Sequence, residues 1–303
     1  MNGKAQALAL IRQRKKLAEE TYSSNMESLC SDPVFDELIR KETVLKWDYV
    51  KSSSEQEREK ISVSISDIRN QIKEYMINKG LSLSLLSVPY NCKLCNDTGF
   101  IDGKECSCVE RQRISMELAD NPLLKNVPPS LCKIDFSFYG TEKTNKIKCA
   151  ECIADGIKNG KTIFLIAGKT GTAKTYIAAT AVKEELLKGK SVLALSAVKL
   201  GKAFLEYHCS PIEEKTAKFN SLSQPDVLLI DDLGAEQMLN NVTVPYLIEL
   251  LTERAEEKLT FITTNLLPEE LENRYGQRVL SRILDKKLSL PVLLNGRDLR
   301  INI

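Results

Sequence analysis

Histidine is nearly missing from this 303-residue sequence, which has a single copy at His208. Charge bias is missing too. The 43 Lys and Arg face 41 Asp and Glu, a formal net charge of +2, so no global field marks a nucleic-acid or membrane-surface partner. Any basic patch must be local. No apolar run approaches the roughly 18 residues that span a bilayer. The opening "MNGKAQALALIRQRKK" lacks the apolar centre and small-residue cleavage site of a secretory signal, so a cytoplasmic location is expected. Glycine is scarce in the first 80 residues, where only Gly3 and Gly80 occur, which favours helices there.

Cysteine is abundant, with nine copies. Without a secretion signal these read as reduced thiols or metal ligands, not as a disulfide framework. Four of them, Cys92, Cys95, Cys106 and Cys108, cluster in "CKLCNDTGFIDGKECSC" as C-x2-C, ten residues, then C-x-C. Zinc takes four soft ligands in a tetrahedron, and a two-residue spacer lets both thiolates of a knuckle reach one ion. Asp97, Thr98, Gly99 and Gly103 let the chain reverse between the pairs. With the one histidine far away, the ligand set is all cysteine. Four protein ligands leave no open position, so the zinc is structural. Cys149 and Cys152 lie in a helix-like segment with no second pair and read as core or surface thiols; Cys30, Cys132 and Cys209 are isolated.

The texture of the chain divides it into a helical region over 1–85, the cysteine module over 86–115, a linker over 116–145 containing "NPLLKNVPPSL", and an α/β domain over 146–303. In the first region Asp32 is an N-cap with Pro33 as the first helical residue. Ser54 with Glu57 reads as a capping box, and the stripe Ile61, Ile65, Ile68, Ile72, Met76 that follows reads as the seam of a small helical bundle. From about residue 160, short apolar runs at 162–167, 191–195, 226–231, 259–264 and 290–294 alternate with helical stretches. That is the pattern of a parallel sheet covered on both faces.

The first of these runs breaks into "GKTGTAKT" and then into helix formers. This matches the phosphate-binding loop G-x-x-x-x-G-K-[ST], in its required strand-to-helix context, except that Ala173 stands at the second glycine. Gly168, Gly171, Thr172, Ala173 and Tyr176 belong to the nucleotide-binding set. Lys174 would reach the β- and γ-phosphates of ATP, and the Thr175 hydroxyl would bind Mg²⁺. The third run ends in two carboxylates, "LLIDDLG". Asp231 takes the magnesium and Asp232 polarises the attacking water; the plainer alternative is a pair of strand-end acids facing solvent. The fourth run places Asn265 at the carboxyl edge of the sheet, where it can orient that water. "RYGQRVLSRILDKK" puts Arg274, Arg278, Arg282 and Lys286 at spacings of four on one helix face, with Val279, Leu280, Ile283 and Leu284 on the other. Basic and aromatic residues in "SAVKLGKAFLEYH", namely Lys199, Lys202, Phe204 and Tyr207, suit a single strand, although core packing of Phe204 accounts for it equally well.

In this order, "GKTGTAKT", "LLIDDLG", "ITTN", "RVLSRIL" and "GRDLR" resemble the AAA+ ATPases of the DnaC/DnaI-like helicase loaders and the related IstB-like transposition helpers. The cysteine segment behind a helical N-terminus is similar to the zinc-containing helicase-docking domain of Gram-positive loaders. The resemblance implies Walker A residues Lys174 and Thr175, Walker B residues Asp231 and Asp232, sensor Asn265, an arginine finger at Arg282 acting in trans, and a sensor-two Arg300. It also implies ATP, Mg²⁺ and Zn²⁺ as cofactors, slow hydrolysis, self-association through the AAA+ domain, and two partners: a hexameric replicative DNA helicase and single-stranded DNA. Two alternatives stand beside this. One is an IstB-like transposition helper, and the other is a nucleotide-dead adaptor, with Ala173 abolishing ATP binding. Alanine at that position is cheap at negative φ and costly at positive φ.

Overall fold

The computed structural model describes residues 3–296. It contains two compact units, Met1–Arg113 and Ile114–Ile303.

The first unit is built from α1 (Gly3–Cys30), α2 (Pro33–Lys51) and α3 (Glu55–Asn78), then a two-stranded hairpin, β1 (Phe100–Ile101) and β2 (Lys104–Glu105), and the start of α4 (Ser107–Asp120). Asp32 caps α2 as its sequence implies, its carboxylate accepting the Val34 N–H at 2.9 Å. The capping box at Ser54 does not form. Ser54 is the N-cap of α3, but its side chain makes no cap bond, and the Glu57 carboxylate accepts the Ser52 hydroxyl instead. The helical stripe closes a small core: Ile72 and Met76 are buried with Leu29 and Phe35, and Ile68 packs against them.

The second unit comprises α5 (Pro122–Lys125), α6 (Lys143–Lys158), β3 (Ile163–Ala167), α7 (Lys174–Leu187), β4 (Val192–Ser196), α8 (Ala197–Cys209), α9 (Ile212–Ser223), β5 (Val227–Leu233), α10 (Thr243–Arg254), β6 (Leu259–Thr264), α11 (Pro268–Tyr275), α12 (Gln277–Ile283) and β7 (Ser289–Leu293). The five strands form one parallel sheet in the order β4-β5-β6-β3-β7. This is the three-layer AAA+ P-loop fold expected from the sequence.

Strand alternation sorts the apolar side chains into two cores. Phe164, Ile166, Val227, Leu229 and Phe261 face the side covered by α6 and α7, with Phe164 stacked on Phe261 at 4.7 Å between ring centres. Ile163, Leu165, Leu228, Ile230 and Ile262 face α8 to α12. Residues 116–145 do not behave as a free connector. Leu124, Leu131, Ile134 and Phe136 are buried in the first of these cores, because an amphipathic segment this close to an uncovered sheet edge lowers its free energy by packing. At the opposite end of the strands, Arg254 is fully buried. Its guanidinium donates to the carbonyls of Ser223, Pro225 and Leu259 and to the Thr260 hydroxyl, at 2.7 to 3.1 Å. Burial lowers its pKa to about 10, against the pull of the Asp226 and Glu253 charges.

The basic helix expected over 274–286 is two helices. Gly276, at φ 82° and ψ 163°, breaks it between α11 and α12, so Arg274 does not share a continuous face with Arg278 and Arg282. Phe204 is 1 % exposed and belongs to the core, while Tyr207 packs on Phe219 and Tyr246. Only Lys199 and Lys202 of that basic and aromatic set are exposed.

Candidate functional site

The phosphate loop joins the end of β3 to the start of α7. Gly168 is required there, since a Cβ on it would sit 2.2 Å from the Leu294 carbonyl oxygen. The Lys169 carbonyl accepts both the Thr172 hydroxyl at 2.8 Å and the Lys174 ammonium at 2.7 Å, which folds the loop around its own backbone. Lys174 also donates to Asn265 Oδ1 at 2.7 Å, and Asn265 Nδ2 donates to Asp232 at 2.6 Å. Thr175 donates to Asp231 at 2.6 Å. The loop and the two strand ends therefore form one hydrogen-bonded cluster.

β5 runs two residues further than its apolar pattern suggests. Its register against β6 shifts between Ile230 and Leu233, and Asp232 adopts φ 59°. This bulge turns both carboxylates of "DD" toward the loop. Thr263 holds it in place, accepting the Asp232 N–H and donating to Asp231, each at 2.8 Å. Sequence reasoning missed Thr263. Its signal was present in "ITTN", where one threonine must point to the same face as the neighbouring strand's acid.

A cleft of about 410 Å³ opens beside the loop, with Leu123, Asn126, Val127 and Tyr139 facing Gly171 to Tyr176. The volume falls in the range of small-molecule sites, and its apolar wall comes from the segment read as a linker. Lys183 of α7 anchors that wall through the Val127 carbonyl at 2.7 Å. Hard oxygen donors at Thr175 and Asp231, side by side, fit a magnesium ion.

Ala173 sits at φ 73° and ψ 20°, the left-handed region. Its methyl packs against the core on the α7 side. A side chain in this conformation costs roughly 1–2 kcal/mol relative to glycine. Ala173→Gly is therefore expected to stabilise the second unit by about 1 kcal/mol, raising its thermal midpoint by about 2–4 °C. A scanning-calorimetry trace without that rise would mean that the lost methyl packing offsets the relieved strain.

One predicted residue, Arg282, lies apart from this cluster. The described hydrogen bond of Arg282 runs to Thr252 in α10 at 2.6 Å, and Arg300 lies outside the described residues.

In the first unit the four cysteines of the predicted zinc set converge. Their Sγ atoms lie within 4.8 Å of one another, and all four side chains are buried. Cys92 and Cys106 are 3.8 Å apart, and Cys95 and Cys108 are 3.5 Å apart. A tetrahedron with metal–sulfur bonds of about 2.3 Å has edges of about 3.8 Å, close to these two separations, so the donor set fits a zinc ion. The β1–β2 hairpin turns at Asp102-Gly103, φ 51° and 76°, and returns Cys106 beside Gly99. Asp97, fully buried, organises the knuckle. It accepts the N–H groups of Asn91 and Cys92 and the Arg14 guanidinium of α1 at 2.7, 2.9 and 3.0 Å. Burial opposes its ionisation, and these donors overcome that, holding its pKa below the usual carboxylate value. Cys149 is buried and Cys152 exposed, both in α6.

The profile of the IstB-like ATP binding protein family matches residues 104–292, more than half of the chain. The chain belongs to this family. The IstB-like chain is 25 % identical over 182 residues to the replicative helicase loader DnaC of Escherichia coli (strain K12), covering 58 % of this chain and 74 % of that protein. It is 23 % identical over 316 aligned positions to the replicative helicase loader DnaI of Bacillus subtilis (strain 168), covering 93 % and 99 % of the two chains. A crystal structure of DnaI overlaps 58 % of the IstB-like chain and 91 % of its own, with 26 % identity and a TM-score of 0.43. No described helix of the IstB-like chain is long and apolar enough to cross a membrane.

Proposed function

We propose that this chain is an ATP-dependent loader of a replicative DNA helicase, which delivers the helicase onto single-stranded DNA. The observation that carries the ATP half is the cluster joining Lys174, Asn265, Asp232, Thr175 and Asp231 beside a cleft of nucleotide size. The loader half is supported by full-length similarity to a relative named for helicase loading. In this reading the loop amides and Lys174 bind the phosphates, and Leu123, Val127 and Tyr139 face the base. A magnesium ion held by Thr175 and Asp231 would neutralise phosphate charge. Asp232 accepts the proton of the attacking water, and Asn265, already bonded to Asp232, orients that water. Arg282 acts on the site of a neighbouring copy as an arginine finger, and Arg300 acts in cis. The first unit, stapled by zinc on its four cysteines, grips the helicase. Its work lies in the cytoplasm.

Co-purification tests this. The chain is expected to retain a hexameric replicative helicase in the presence of ATP and Mg²⁺. Capture of a transposase in place of the helicase would sink the loader reading in favour of the transposition helper. Helicase capture by a chain with no measurable ATP affinity would favour the adaptor.

A further inference from the structure

The turn after β5 contains a buried carboxylate that the roles above do not use. Glu236 is 5 % exposed. One carboxylate oxygen accepts the Gly234 N–H at 3.0 Å, and the other accepts the Tyr275 hydroxyl. Its backbone carbonyl accepts the Arg274 guanidinium, whose Nε lies 3.7 Å from the carboxylate. A buried charge is tolerated only with such compensation. Burial, with the Glu236 carboxylate beside it, pushes the Tyr275 phenol well up, so it stays a donor.

The location gives this cluster its meaning. Gly234 is two residues past Asp232, and Arg274 and Tyr275 close α11. Asp232 holds φ 59°, a conformation that side-chain-bearing residues keep only where the surroundings over-determine it. Three ties do so here: Thr263 accepts the Asp232 N–H, the Ala235 N–H returns to the Asp232 carbonyl at 3.1 Å, and Glu236 fixes the Gly234 amide between them. Of these, only Glu236 reaches beyond β5 and β6, to the α11–α12 pair that carries Arg282.

Resting on the ATPase reading above, we propose that Glu236 is a positioning residue. By holding the Gly234 amide and Tyr275 at once, it fixes the Asp232 carboxylate against the phosphate loop and couples its placement to α11 and α12.

Two variants test this in the full chain. Tyr275→Phe deletes one phenol oxygen and keeps the packing; Glu236→Gln keeps the volume and removes the charge. Each is expected to lower kcat for ATP hydrolysis by about tenfold while KM for ATP stays within about twofold, since a small displacement of a reacting group acts on the chemical step. Amide exchange at Gly234 should quicken in both. Unchanged kcat in both variants, or kcat and ATP affinity falling together, overturns the positioning role. Should Glu236→Gln fail to fold, Tyr275→Phe decides alone. The wild-type chain is measured first. If it binds no ATP, the nucleotide reading itself falls. If it binds ATP without turnover, unchanged exchange at Gly234 in Tyr275→Phe overturns the inference.

Discussion

Cys92→Ser combined with Cys106→Ser is expected to strip the metal from the protein and unfold the segment around it. Metal analysis of the purified wild-type chain should return about one zinc per chain, and the double variant close to none. The effect is large because, beyond the Asp97 network, little regular structure holds residues 88–110 together. The hairpin has two residues in each strand, Phe100 and Ile101 are both exposed, and the cysteines themselves supply much of the local burial. Binding free energies of structural zinc sites reach about 10 kcal/mol or more, and that energy is folding energy for such a module. Limited proteolysis should therefore cut the variant within this segment while leaving the second unit intact. One equivalent of zinc retained by the double variant would refute the assignment.

Lys174→Ala should cost about a hundredfold in ATP affinity, roughly 3 kcal/mol for the loss of an ammonium donor to charged phosphates. The loop itself should survive the change. The Lys169 carbonyl keeps the Thr172 hydroxyl, and Asp232 keeps Asn265. Asp232→Asn should separate binding from chemistry, leaving ATP affinity within a few-fold and lowering hydrolysis by at least about a hundredfold, as for loss of a general base. Titration calorimetry with ATP and a phosphate-release assay check both. Equal ATP affinity in Lys174→Ala and wild type would rule out this cluster as the phosphate site.

The placement of the candidate-site residues was legible in the sequence wherever a short segment carries it alone. The five apolar runs became the five strands within a residue or two, because a strand buried on both faces must be apolar throughout. The cysteine spacing foretold convergence, because turn residues stand between the pairs. Non-local features were hidden. The wall at Leu123, Val127 and Tyr139 depends on an amphipathic segment meeting a distant helix, and the bulge at Asp232 depends on Thr263 of the next strand. One missed detail and one open question had a local signal. Gly276 within "RYGQR" marked the break between α11 and α12. The motif's demand for glycine at position 173 marked a positive φ, which Ala173 adopts.

Arg254 bears on how a genetic screen of this protein would read. The three carbonyls and one hydroxyl that cage its guanidinium lie at the starts of the strands, at the other end of the sheet from the phosphate loop. Any replacement takes the guanidinium away from all four oxygens, of which the Ser223 carbonyl keeps the Lys258 ammonium at 3.0 Å, and a shorter cation cannot reach the whole set. Alleles altered there would be recovered as null beside those at Lys174, yet they would act on cellular abundance and not on ATP. Sorting null alleles by steady-state protein level would separate the two groups, and the low-abundance group would trace the scaffold that the nucleotide residues stand on.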